Sequence, residues 1–138
     1  MSQDKITILI KRASLEAEKI QIPFLQSYDL SPAQYRLLKY LYSVPKDSAR
    51  IVDVETCCSM THPAVIDILR VLEKNGYTVR LANPEDARSK IVSLTAKAYA
   101  VQGELERIGD EMEAAVTSRL DGEDKRALSA LLRKLLGN

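Results

Sequence analysis

The chain has 138 residues, 46% hydrophobic and 28% charged, a composition that suits one folded domain with a modest core and excludes a disordered segment. Its 20 basic and 19 acidic residues leave a net charge of +1, so no bulk charge advertises a polyanionic partner, and any such surface must come from where the charges sit. The adjacent Cys57 and Cys58 make no disulfide framework, which fits a reducing cytoplasm, and the opening MSQDKITILIKRAS reads as neither signal peptide nor membrane span.

Residues 4–25 carry Ile6, Leu9, Ala13, Ala17, Ile20 and Phe24 at three- and four-residue steps. That is the period of an amphipathic helix, which Pro23 should bend or end. In YDLSPAQYRLLKYLYS, Ser31 suits an N-cap, Pro32 the first helical position, and Gln34 the far side of a capping box. Leu38, Leu41 and Tyr42 are its expected buried stripe, and VPKDSAR is a polar connector. IVDVETCCS reads as a brief strand followed by one or two helical turns. Thr61 is the next N-cap, with Pro63 in the first turn. Val65, Ile68, Leu69 and Leu72 then define one buried face, and Gly76 can take the left-handed conformation that stops the helix.

YTVRL alternates, with Tyr77, Val79 and Leu81 on the expected apolar side and Thr78 and Arg80 on the other. IVSLT is the second strand, and ANPEDARSK is a long connection whose tip must protrude. From Lys97 the chain is helical again. Val101, Leu105, Ile108, Met112 and Ala115 form a heptad-like seam for helix contact. The acids of DGEDK restart a helix from Asp121, and Leu128, Leu131, Leu132 and Leu135 give it an apolar stripe closed by Gly137 and Asn138.

This order, helices around a helix-turn-helix and a hairpin, predicts a mainly α fold with a small β-hairpin wing (α+β). With it the sequence resembles the multiple antibiotic resistance regulator (MarR) family from about Leu30 to Leu136. Pro84, Asp86, Arg88, Leu94 and Thr95 match the family's wing pattern. Leu72, Glu73 and Gly76 match the close of its recognition helix, and Ser31 and Gln34 the start of its second helix. The resemblance implies a single domain over 1–138, with a winged helix-turn-helix at 31–96 and dimerisation helices at 4–25 and 97–136. It implies a homodimer on a pseudo-palindromic double-stranded DNA operator, with a recognition helix in the major groove and the wing in the minor groove. A small aromatic or lipophilic effector is implied for many members, and oxidant sensing through cysteine for some.

The residues themselves set the site expectations. Arg88 at the hairpin tip can enter a narrow minor groove, braced by Asp86, while Arg80 and Lys90 reach flanking phosphates. A solvated turn with a weak ion pair is the plain alternative. On the recognition helix, His62, Pro63, Ile66, Asp67 and Arg70 lie on or near the exposed face, and Thr61 with the helix N-terminus can hold a phosphate. Arg70 suits guanine or phosphate, and Ile66 a thymine methyl. Asp67 departs from the family's basic or polar residue: it can accept from cytosine or cancel Arg70 at i, i+3. Arg36, Lys39, Lys46 and Arg50 make the most basic stretch, against an acidic run over 104–113.

The resemblance places Cys57 near the surface and Cys58 at an apolar core position, where a thiol acts as a small hydrophobe. Cys57 remains a redox candidate. The resemblance implies an effector pocket between the dimer helices and the winged domain, which makes Phe24, Tyr35, Tyr40 and Met112 candidate contacts by location, with ordinary core as the alternative. No cofactor, metal site, membrane contact or catalytic constellation is expected. The reading is a cytoplasmic DNA-binding regulator, a ligand-responsive repressor; the alternative is a protein-interaction or ligand-binding module with weakened DNA binding.

Overall fold

The computed structural model describes residues 5–138. The expected start of the first helix at Asp4 lies outside them. Helix α1 (Ile6–Leu25) runs through Pro23 without ending there, and only Leu25 is buried along it. A 3-10 turn over Gln26–Tyr28 leads to α2 (Pro32–Ser43). Its capping box is formed as expected: the Gln34 amide donates to Ser31 Oγ, and the Ser31 amide donates to Gln34 Oε1 at 3.0 Å. Leu38 and Leu41 are buried. Tyr42 is half-buried and its hydroxyl donates to the Ala98 carbonyl.

The brief strand lies earlier than expected. Strand β1 is Ala49–Arg50, and IVDVETCC is helical throughout as α3 (Ile51–Cys58). Asp53 explains the shift. Its carboxylate accepts from the Arg50 amide at 3.0 Å and from the Arg50 guanidinium, capping a helix that starts at Ile51. Ser59 turns the chain in the left-handed conformation, at φ 53. Helix α4 (His62–Lys74) then starts from Thr61, whose hydroxyl accepts from the Ala64 amide at 3.3 Å. Val65, Leu69 and Leu72 are buried. Gly76, at φ +84, takes the conformation that ends the helix without a Cβ penalty.

Strands β2 (Thr78–Ala82) and β3 (Lys90–Leu94) form the wing, and the antiparallel sheet has the order β1-β3-β2. Tyr77, just before β2, is buried, but the facing within the strand is the reverse of the side expected for Val79 and Leu81. Thr78 pairs with Leu94 and Arg80 with Val92, so the nominally polar side of β2 shares a face with core residues of β3. Val79 and Leu81 are exposed. The central β3, flanked on both edges, is buried from Ile91 to Leu94, and a buried strand loses the simple alternation of a half-exposed one.

After β3, Thr95 caps a short α5 (Ala96–Ala100), and α6 (Gln102–Val116) follows a break at Val101. The expected seam holds in part: Leu105, Ile108 and Met112 are buried, with Val101 and Ala115 half-buried. It is filled within the chain, since α6 packs on α1 and the Tyr35 hydroxyl of α2 donates to the Leu105 carbonyl at 3.5 Å. Helix α7 (Gly122–Leu136) is capped by Asp121 with Asp124 and ended by Gly137. No residue of α7 is buried, and Leu131 and Leu135 are 65% and 60% exposed.

Candidate nucleic-acid interface

The α3–turn–α4 unit sets the site. Buried Val54 on α3 and Val65, Leu69 and Leu72 on α4 anchor both helices in one core. The remaining face of α4 is open: His62, Pro63, Asp67 and Arg70 are exposed and Ile66 is half-buried. Two bases on this unit, Arg70 and His62, have an acid beside them. Arg70 donates to Asp67 Oδ1 at 3.2 Å, with both side chains about 70% exposed or more. This is the i, i+3 cancellation that the sequence left open, rather than a free guanidinium. His62 Nδ1 lies 2.8 Å from Glu55 Oε2, a partner not anticipated from the sequence because it comes from the preceding helix. The oxygen of Thr61 accepts from its own helix, which leaves the hydroxyl proton to donate to a phosphate.

The wing has the same character. Its tip is organised by short-range bonds from Asx side chains. The Glu85 amide donates to Asn83 Oδ1 and the Arg88 amide to Asp86 Oδ1, both at 3.0 Å, and Asn83 Nδ2 donates to Ser89 Oγ at 2.8 Å. Arg88 is thereby fixed at its backbone while its side chain is 96% exposed, its Nε only 3.8 Å from Asp86 Oδ1. Asp86 thus organises the turn more than it grips the guanidinium. Lys90 is exposed at the start of β3.

Arg80 is placed differently from the expectation of a phosphate contact. Its guanidinium forks onto Glu73 of α4 at 2.8 and 3.3 Å, which ties the wing to the recognition helix. The inverted facing of β2 is what turns Arg80 toward α4. Asn83, Ser89, Glu55 and Glu73 are the contributors that sequence reasoning missed. Of these, Asn83 was legible, since Asn before Pro is a turn former.

The expected effector residues do not form one pocket. Tyr35 lines a cleft of about 180 Å³ with Lys39, Tyr42, Ser43, Gln102, Leu105 and Glu106, between α2 and α6. Phe24, Tyr40 and Met112 lie outside it; Met112 is buried in the core and Phe24 and Tyr40 pack against it. Burial raises the Tyr35 phenol above its ordinary range, helped by the nearby Asp110 and Glu106 carboxylates. Tyr40 is raised by burial and by its neighbour Cys57. Cys57 is exposed and Cys58 packs against the core. Burial pushes the Cys58 thiol up, which makes it the less reactive of the two. Among the described residues, no cluster of His, Cys, Asp or Glu could hold a metal ion, and no helix is long and apolar enough to cross a membrane.

A recognition helix with one open face, a short three-stranded sheet and an ordered wing tip define a winged helix-turn-helix protein. The sequence profile of the MarR family matches residues 28–89, which span that unit. The S. aureus MepR–DNA complex superposes with a TM-score of 0.85 at 27% identity, covering 98% of each chain. The homoprotocatechuate degradative operon repressor of Escherichia coli is 24% identical over 137 residues, covering 98% of this chain and 91% of its own. The transcriptional regulator HosA of Escherichia coli O111:H- is 27% identical over 108 residues, 78% of each chain. The MarR family model thus matches the winged helix-turn-helix unit, under half of the chain, and the fold of the whole chain is that of the MepR–DNA complex.

Proposed function

We propose that the protein is a dimeric, sequence-specific DNA-binding transcriptional regulator of the cytoplasm, acting as a repressor that a small aromatic or lipophilic effector releases. The observation that carries this reading is the open face of α4 beside the wing tip: His62, Pro63, Asp67 and Arg70 exposed over a buried apolar stripe, with Arg88 at full reach. Helix N-terminal residues are those that meet base edges, and a wing arginine suits the minor groove. Related proteins named as repressors, and one solved on DNA, support it. The apolar residues left exposed on α1 and α7 offer a surface for the proposed dimer, whose two recognition helices would stand about one DNA turn apart on a pseudo-palindrome. The division into a DNA-binding region at 31–96 and dimerisation helices at 4–25 and 97–136, all within one domain, is part of the same proposal. No step of it requires catalysis.

A second reading has its own observation. Arg70, Arg80 and His62 each sit on a carboxylate, which weakens attraction to phosphate and favours a protein-interaction or ligand-binding module. Selection of genomic fragments by the purified protein, with Arg88→Ala alongside, decides between them. The regulator reading expects a shared pseudo-palindrome, lost or much weakened in the variant, and affinity that falls with salt. Absence of any enrichment at low salt would leave the module.

A further inference from the structure

We infer that Glu55 decides what the recognition helix reads through His62, an inference that rests on the DNA-binding reading above. An ionised carboxylate only accepts hydrogen bonds. At 2.8 Å from Glu55 Oε2, the His62 Nδ1 therefore carries the proton and donates it. A neutral ring held this way has Nε2 left as a bare acceptor. Glu55 is held better than its partner: its side chain is 23% exposed against 62% for the imidazole, so the carboxylate orients the ring. The contact joins α3 to the first residue of α4, across the turn at Ser59.

An acceptor at the recognition helix's first residue has a defined complement in the major groove. Only adenine N6 and cytosine N4 offer donors there; guanine O6 and N7 and thymine O4 accept. A phosphate oxygen also only accepts, so this tautomer cannot serve the backbone. His62 thus selects A or C over G or T at the position it meets. Without Glu55 the ring is free to take the Nε2–H form, which donates outward and suits guanine or phosphate instead. Glu55 is a positioning residue whose effect is a change of base preference.

Two measurements test this on the intact protein. His62 is the only histidine, so long-range proton–nitrogen NMR correlations of the imidazole report one ring. In buffer alkaline enough that the imidazole nitrogen signals no longer move with pH, the native protein should show Nδ1–H. Glu55→Gln, which keeps an acceptor oxygen, should retain it, and Glu55→Ala should shift toward Nε2–H. A native Nε2–H ring overturns the inference whether or not DNA binds.

Base preference is then read by selection from a randomised duplex pool, in the same buffer. The position that becomes degenerate in His62→Ala identifies the base met. There the native protein should favour A or C by about tenfold, Glu55→Gln should follow it, and Glu55→Ala should lose that preference with the other positions unchanged. An unchanged preference in Glu55→Ala, or a native preference for G or T, refutes the inference while leaving DNA binding intact. If NMR gives Nδ1–H but no variant selects any sequence, base reading falls together with the proposed function, and the pair is a brace between two helices.

Discussion

A methyl group at Gly109 would lie 2.1 Å from the Tyr35 hydroxyl and 3.3 Å from its Cζ. Tyr35 is buried, and its hydroxyl is engaged with the Leu105 carbonyl, a bond it would lose by moving. Gly→Ala inside a helix ordinarily gains up to about 1 kcal/mol, but overpacking of a core typically costs ~1–3 kcal/mol. Gly109→Ala should therefore lose stability in urea unfolding, and Tyr35→Phe in the same chain should recover part of the loss by removing the nearer atom. The tyrosines also set an alkaline limit. Burial pushes the Tyr42 phenol from 10.0 up to about 12, and neighbouring Tyr77, Tyr99 and Glu106 add to it. A folded value above the unfolded one means stability fully present below pH 10.0 and lost as pH rises toward about 12. Unfolding free energies measured across that window should fall, and fall less steeply in Tyr42→Phe. Neither property was legible in the sequence, where Gly109 is a poor helix residue and Tyr42 one apolar position among several. The contact partner in each case lies 56 residues or more away.

Helix α4 and the wing show local rules and tertiary rules side by side. Thr61, Pro63 and Gly76 set the limits of α4 by capping chemistry that acts within a few residues, and those limits were readable. The i, i+3 pairing of Asp67 with Arg70 was readable too, because it depends only on helical spacing. Freeing that arginine makes a prediction about the element. Asp67→Asn should raise affinity for the selected DNA several-fold and steepen the salt dependence by about one unit of log–log slope, as one more cation reaches phosphate. Fluorescence anisotropy over a salt series checks it, and an unchanged slope would mean that Arg70 never reaches the backbone. The facing of β2 was not readable. Val79 and Leu81 make the more apolar side of the strand, but alternation gives the two sets of side chains and not which set meets the core. Pairing with the buried β3 decided that, and it carried Arg80 onto Glu73.

At the scale of the molecule, the described chain leaves apolar surface that one copy cannot cover. Ile6, Leu9, Leu15 and Ile22 on α1 are exposed with Leu128, Leu131, Leu132, Leu135 and Leu136 on α7, and α7 has no buried residue of its own. A lone amphipathic helix of 15 residues is marginal in water, so α7 needs a partner surface. Leu131→Asp with Leu135→Asp should convert a dimer to monomers in analytical ultracentrifugation and abolish the concentration dependence expected of the native thermal midpoint. Loss of operator binding should follow, since one half-site offers too little contact. A dimer that survived both charges would place the interface elsewhere.

The sequence by itself determined the order of the main helices and the hairpin, the caps of α2, α4 and α7 and the turn at the wing tip, because those depend on residues within a turn or two of one another. It also carried the wing and helix-end motifs of the MarR family. Tertiary structure decided which side of β2 meets the core, that the α6 seam is filled by this chain's own α1 and α2, and that Glu55 and Glu73 stand beside His62 and Arg80. Those outcomes depend on which distant surfaces come together, and a hydrophobic period or a charge along the chain does not name its partner.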